Sequence, residues 1–519
     1  MSILQPRLAA LTPERLKGMR RGIEKESLRA APDGSLALTP HPKALGAALT
    51  HPHITTDYSE SQLELITGVH ATPETCLEEL LQIHQFTYRA LGDDEMLWVS
   101  SMPCRLPADE NIPIGRYGSS NVGRAKSVYR MGLAHRYGRR MQTISGIHYN
   151  WSLPEVSSEQ YFALIRNFRR HAFLLLYLFG ASPAVCSSFV AGRQHELQTL
   201  ESGTLYMPYG TSLRMGRLGY QSEAQASLAV SYNGLDGYAA SLHEALTRPY
   251  PAYEAVGIVN PGGEYNQLAT SLLQIENEFY GTIRPKRVIG RGERPLHALR
   301  ERGVEYVEVR LLDLNPFVPI GISAQTLRFL DVFLLHCLGS DSPPDTPQEI
   351  AALGRNQHRT AAFGRQPGLT LERGGRDVAL LEWAGELMQS FGAFAALLDE
   401  THGTSDYSDA VRSAQALLHD PDLLPSARVL AVMQRDFANS VTAFGCAQSQ
   451  QARAKLLALP FGAALQSKFT AQSEQSVREQ QVIEASDRIP FETFRQQYIS
   501  AERLDPSANP AIEPVLAAV

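Results

Sequence analysis

Cysteine is scarce. The 519 residues hold five, at 76, 104, 186, 337 and 446, with no CxxC and no Cys/His cluster. That excludes a disulfide scaffold or a zinc module and points to a reducing compartment. Long apolar runs are missing too. "AFLLLYLFGA" at 172–181 is the longest, well short of the roughly 20 residues a membrane span needs. No basic-then-apolar leader pattern opens the chain, so a cytoplasmic protein without a membrane partner is expected. Positive charge is not in excess: 48 Lys and Arg against 54 Asp and Glu give a net charge of −6, which speaks against a nucleic-acid partner. GxxxxGK[ST] is absent, no GxGxxG follows a strand, and GxSxG does not occur. Walker-type, Rossmann and nucleophile-elbow sites have no support.

What is present is an ordinary globular balance, 44% hydrophobic and 20% charged, with ample material for a core. The chain changes character near residue 322. Before it, short β-like runs alternate with helical segments such as "TCLEELLQIHQFTYRAL" (75–91) and "SSEQYFALIRNFRRHAFLLLYLF" (157–179). The second of these has Ser158 as its expected start. After it, "SAQTLRFLDVFLLHCL" (323–338), "DVALLEWAGELMQSFGAFAALLDE" (377–400) and "ARVLAVMQRDFANSVTAF" (427–444) carry apolar residues at helical spacing. The expected organisation is a catalytic α+β region over 1–322, a mainly helical region over 323–505 packed on it, and a loose tail over 506–519.

Three β-like runs have one chemically unusual face. "RGIEKESLR" (21–29) places Glu24 and Glu26 together. In "QTISGIHYNWSLP" (142–154), Ile147, Tyr149 and Trp151 share one side, and Gln142, His148 and Asn150 the other. In "EYVEVRLLDLNPF" (305–317), Val307, Val309 and Leu311 oppose Tyr306, Glu308 and Arg310. "ITTDYSESQLELIT" (54–67) adds Asp57 and Glu64. Taken singly, each acid reads equally well as a surface group. Taken together with His148, carboxylates and an imidazole without thiolates suit Mg²⁺ or Mn²⁺ better than zinc.

Two basic stretches accompany the acids. "GRYGSSNVGRAKSVYRMGLAHRYGRR" (115–140) has seven Lys and Arg and no acid, and "IRPKRVIGRGERP" (283–295) is similar in kind. Each reads either as a solvated segment or as an anion site for phosphate or carboxylate.

These segments, with "SMPCRLP", "YGTSLRMGRLGY" and "GVEYVEVRLLDLNPFVPIGI", resemble in order the bacterial type 1 glutamate–cysteine ligases over about residues 18–325. The helical part resembles them more loosely, through "GRQPGLTL" and "SEQSVREQQVIEASDRIPFETFRQQY". The stretch 189–210 departs from the family pattern. The resemblance implies a glutamine-synthetase-like fold: a curved antiparallel sheet forming a half-barrel funnel, with helices around it. It implies ATP-dependent joining of the γ-carboxylate of L-glutamate to the amine of L-cysteine, with ATP as co-substrate and two to three Mg²⁺ or Mn²⁺ ions. A carboxylate does not accept an amine while its leaving group is oxide, so ATP must first convert it to an acyl phosphate. That chemistry calls for metals, acids to hold them and arginines to balance phosphate.

By motif position, the resemblance assigns metal binding to Glu24, Glu26, Asp57, Glu64, His148 and Glu308, with Glu308 and Arg310 catalytic. It assigns substrate binding to Tyr129, Arg130, Gln142, Asn150, Arg214, Tyr220 and Tyr280. Lys286, Arg287 and Arg310 are expected on ATP phosphates. A monomer is favoured, though the sequence leaves the oligomeric state open. The alternatives are a related ligase with another small amine acceptor, a metal-dependent phosphohydrolase, or a non-catalytic amino-acid-binding protein.

Overall fold

The computed structural model describes residue 8 and residues 10–505, apart from 220–222, 227 and 291. Tyr220 and the 506–519 tail therefore lie outside the described residues.

The alternating runs form an antiparallel sheet. Its strands are β1 (Arg20–Ala30), β2 (Ile54–Thr56), β3 (Gln62–Ile66), β4 (Met96–Leu97) and β5 (Ile147–Ser152). A separate small sheet follows, with β6 (Ala184–Cys186), β7 (Gln198–Glu201) and β8 (Thr204–Tyr206), and takes up much of the divergent stretch. β9 (Ile283–Lys286) and β10 (Tyr306–Leu312) return to the main sheet, while β11 (Thr370–Arg373) and β12 (Arg376–Ala379) make an isolated hairpin. The main order is β2-β3-β1-β5-β10-β9, with β4 on the far end of β1. β2 and β9 do not pair, so the sheet is open rather than a closed barrel.

Period-two alternation gives this sheet two unlike faces. On one, Ile23, Leu63, Leu65, Ile147, Tyr149, Trp151, Val307 and Val309 are each at most 1% exposed. Burying each aliphatic side chain there stabilises the fold by about 1.5–3 kcal/mol. Helices α1 (Pro73–Ala90), α2 (Asn121–Tyr137), α3 (Ser158–Phe179) and α4 (Ala324–Gly339) run between and after the strands. Of these, α3 packs on β9 and β10, and α1 on β1 and β3. Two charges interrupt the apolar face. Arg21 Nε donates to Asp331 Oδ2 of α4 at 2.8 Å, and the Tyr149 hydroxyl donates to Asp331 Oδ1 at 2.7 Å. Lys25 Nζ lies 2.7 Å from Ser27 Oγ and 2.9 Å from His84 Nε2. Burial pushes this amine down to about 7.

The later helices are α5 (Pro347–Phe363), α6 (Leu380–His402), α7 (Asp406–His419), α8 (Pro425–Phe437), α9 (Val441–Ala458), α10 (Ala463–Ser486) and α11 (Phe491–Ile499). They share a core with the sheet: Leu63, Leu330, Phe391 and Phe469 belong to one apolar cluster. Local corrections to the sequence reading have local causes. The expected single helix over 427–444 is two, because Ala438 and Asn439 take left-handed φ of 47° and 66°. Asp377–Ala379 belong to β12, not to the helix that begins at Leu380. Ser157, not Ser158, caps α3, in a reciprocal capping box with Gln160.

Candidate active site

The polar face is assembled by strand register. Glu26 stands opposite Glu64, and Glu24 opposite His148. Glu308 stands between Asn150 on β5 and Arg284 on β9. One row of acids, imidazole and cations therefore crosses β3, β1, β5, β10 and β9.

His148 is its hub. Nδ1 lies 3.3 Å from Glu24 Oε2 and 3.6 Å from Glu308 Oε1, and Nε2 lies 3.4 Å from Glu26 Oε1. Two trios, Glu24–His148–Glu308 and Glu26–Glu64–His148, each have donor atoms within 4.8 Å of one another. Asn150 Nδ2 donates to Glu24 Oε1 at 2.9 Å, and the Gly146 amide donates to Glu26 Oε2 at 2.7 Å. Glu308 Oε2 is buried with no hydrogen-bond partner among the described residues. Such an atom is costly unless something cationic meets it. Carboxylates, an imidazole and an unspent oxygen fit Mg²⁺ or Mn²⁺.

The acids divide electrostatically. Burial and the charge of Asp57 push Glu26 up to about 8. Burial and the charges of Glu24, Asp57 and Glu26 raise Glu64 well above the usual range. Burial opposes ionisation of Glu308 as well, but Arg310, Lys286 and His148 outweigh it and hold Glu308 well below the usual range. Glu24 is lowered despite burial and Glu308, through His148 and Lys286. Burial first, then Arg310, keeps His148 neutral and able to ligate.

Cations line the β9–β10 end. Arg310 Nη1 lies 2.9 Å from Glu308 Oε1, and Lys286 Nζ lies 3.6 Å from the same oxygen. Arg287 is not brought to this row. It follows Lys286 onto the other side, where Nε lies 3.4 Å from Glu305 and Nη1 donates to the Arg302 carbonyl at 2.7 Å. Arg284 lies in the row instead. It is 7% exposed and opposite Glu308, with Nε unpartnered among the described residues. The signal was legible: residues 284 and 286 share strand parity, and 287 does not.

Beside the row, Arg214 is 2% exposed and donates through Nη2 to the Arg310 carbonyl at 2.8 Å. Gly146 makes room for it: a Cβ there would lie 2.0 Å from Arg214 Nη2. Gln142 Nε2 donates to the Tyr280 hydroxyl at 2.8 Å. Gln142 reaches this place from a short turn, Met141–Thr143, and not from β5 as the alternation implied. Burial and Tyr129 both raise the Tyr280 phenol, which places Tyr129 within electrostatic reach of it. Asp57 acts on Glu26 and Glu64 from outside the two trios. The Arg130 guanidinium sits over the Tyr117 ring and donates to the Asp57 carbonyl, so it braces the Asp57 loop. Most of the basic helix is spent similarly: Arg124 lies over Phe491, and Arg136 pairs with Glu278.

A family model for glutamate–cysteine ligase matches residues 8–360. The chain belongs to the glutamate–cysteine ligase family. A glutamate–cysteine ligase of Azotobacter vinelandii (strain DJ / ATCC BAA-1303) is 48% identical over 504 residues, covering 93% of this chain and 94% of that one. One of Pseudomonas entomophila (strain L48) is 49% identical over 497 residues, covering 92% and 93%. Among solved structures, glutamate–cysteine ligase from Francisella tularensis in complex with AMP superposes with a TM-score of 0.88 at 37% identity, covering 93% of this chain and 97% of that one. The expected α+β fold and the expected ATP-dependent ligase activity, formation of γ-glutamylcysteine, both hold. No helix among the described residues is long and apolar enough to cross a membrane.

Proposed function

We propose that Glu24, Glu26, Asp57, Glu64, His148 and Glu308 hold two to three Mg²⁺ or Mn²⁺ ions, in a cytoplasmic monomer acting on L-glutamate, L-cysteine and ATP. Bound there, the cations neutralise the ATP phosphates and the phosphoryl group as it moves. The observation that carries this reading is Glu308 Oε2, buried without a partner among the described residues at the meeting point of the acids and Arg310.

The protein's own groups do the rest. Arg310 presents a planar fork to the transferring phosphoryl oxygens. Lys286 and Arg284 hold the outer phosphates, a role for which the geometry of Arg287 offers no support. Arg214 takes a substrate carboxylate. Gln142, Tyr280 and Tyr129 enclose the amino acids, and Asn150 fixes Glu24. The γ-carboxylate of glutamate attacks the γ-phosphorus of ATP and ADP leaves. The cysteine amine then attacks the acyl carbon of γ-glutamyl phosphate, releasing phosphate and one proton. Residues 1–322 supply this site, and 323–505 support it.

The test is ATP-dependent phosphate release with glutamate, Mg²⁺ or Mn²⁺, and a panel of amines. Cysteine should have the highest kcat/KM. A higher value for another small amine would reassign the acceptor. Equal phosphate release without any amine would make the protein a phosphohydrolase, and binding of the amino acids without turnover would make it a binding protein.

A further inference from the structure

Behind the sheet, away from the acid row, α3 and α4 bring together His171, His336 and Cys337. Their donor atoms lie within 4.8 Å of one another. None of the three has a role in the ligase chemistry proposed above.

The hydrogen bonds fix one imidazole. Ser390 Oγ lies 2.6 Å from the Leu387 carbonyl and gives its proton there. The 2.9 Å contact between Ser390 Oγ and His336 Nε2 must then be donated by the imidazole. His336 is therefore the Nε2–H tautomer, and its Nδ1 carries a lone pair. That Nδ1 is buried with no partner among the described residues, in a side chain only 6% exposed. Nδ1 of His171 is buried and unpartnered as well. A second hydrogen bond that sets the tautomer is the usual support of a metal-binding histidine. Burial pushes His336 to about 4 and His171 to about 3, so both are neutral and need lose no proton to ligate. Burial raises the Cys337 thiol well above its usual value, so it stays protonated until a cation displaces its proton.

The surroundings select the charge of that cation. Phe391 and Phe394 flank His336, with ring centroids 4.9 Å and 5.5 Å away, and Trp383 flanks His171 at 6.3 Å. The charged groups acting on His171 are Arg170 and Arg373, each itself paired with a carboxylate, Glu349 and Glu386, so no acid is left over to offset a second positive charge. A divalent ion with one thiolate would leave net positive charge in this setting, which burial disfavours. A monovalent soft ion with two imidazoles and one thiolate is neutral. Thiolate and imidazole in low coordination number suit Cu⁺. Reaching bonding distances of about 2.0–2.3 Å requires each donor to move by less than about 1 Å.

We propose that His171, His336 and Cys337 form a three-coordinate site for a monovalent soft cation, Cu⁺, separate from the acid row. Binding exchanges the Cys337 thiol proton for the metal: Cu⁺ bonds to Sγ, Nδ1 of His336 and His171, and one proton is released. No oxidation is involved.

The full-length protein is titrated anaerobically with Cu⁺ against a chromogenic Cu⁺ chelator, and with Ag⁺ as a redox-silent probe. Because four other thiols can also take up these ions, the readout is a difference between variants. His171→Phe and His336→Phe, which leave all cysteines in place, should each lose one tight equivalent. His171 is half-buried, so its variant is expected to fold even where His336→Phe does not, and circular dichroism checks both. X-ray absorption on the one-equivalent sample should show two nitrogens and one sulfur. Unchanged stoichiometry in a folded variant, or a sulfur-only shell, would mean the cluster is packing alone. Tighter binding of Zn²⁺ than of Ag⁺ would overturn the assignment to a monovalent ion.

Discussion

Arg310 Nη1 stands 2.9 Å from Glu308 Oε1, two residues back along β10, while Glu308 Oε2 has no partner among the described residues. One carboxylate thus ties down the arginine with one oxygen and leaves the other unspent. Arg310→Lys should lower kcat by about 10²–10³-fold, because a point charge cannot reproduce the fork. KM for ATP should change by less than about threefold. Steady-state kinetics decide it, and near-normal kcat would remove Arg310 from the phosphoryl contact.

Glu26→Gln keeps volume and keeps an acceptor for the Gly146 amide, which now reaches Glu26 Oε2 at 2.7 Å. It removes only ligand charge. Activity should fall at least about 100-fold, with the melting temperature within about 3 °C of the parent. An unfolded variant would show that Glu26 is structural.

The raised Glu26 carboxyl gives metal-free protein a pH signature. Its value moves from 4.5 to about 8 in the folded chain, through burial and Asp57. The native state then holds a proton that the unfolded chain releases between those values. This contribution is fully present below pH 4.5 and is lost as pH rises through about 8, at up to about 1.4 kcal/mol per pH unit for one proton. Urea titrations of chelator-treated protein should show stability falling over that window. Excess Mg²⁺ should flatten the slope. A metal-free slope of the opposite sign would contradict the burial of Glu26.

Gly146→Ala places a methyl where Arg214 Nη2 now lies, 2.0 Å from the added carbon. The guanidinium must swing away. KM for an amino-acid substrate should rise about tenfold or more, with a smaller effect on KM for ATP. Unaltered substrate KM values would mean that Arg214 does not meet a substrate carboxylate.

Asp331→Ala leaves the Arg21 guanidinium buried without its carboxylate. Both side chains are 0% exposed, so stability should drop by about 3–5 kcal/mol. The double change Arg21→Met with Asp331→Leu should recover most of it. Denaturant titration checks both, and an unrecovered double variant would show that the pair does more than balance charge.

Strand parity was enough to place the acid row: Glu24, Glu26, His148, Asn150, Glu308 and Arg310 fall on one face as alternation requires. Arg287, expected on phosphate by motif position, lies beside Glu305 and off the row, while parity would have drawn attention to Arg284, which stands opposite Glu308. Parity failed for Gln142, whose turn precedes β5, because it has meaning only inside a strand. The break at Ala438 and Asn439 was hidden by an apolar periodicity that continues across it. Adjacency along β1 does not decide how Glu24 and Glu26 ionise. Glu26 is raised by burial and Asp57, while the charge of Glu24 acts on Glu64, a neighbour the linear order does not reveal.

By itself the sequence determined which residues share a face, because alternation is a property of a single extended chain. It also determined the family, because the motifs recur in order. Which faces meet was decided only by the tertiary structure. Register set Glu26 against Glu64 and Glu308 against Arg284, and helix packing set His171 against His336 and Cys337. Protonation follows from those meetings. In the metal-free protein, burial and neighbouring charge, which depend on the whole fold, lower Glu308 and raise Glu26.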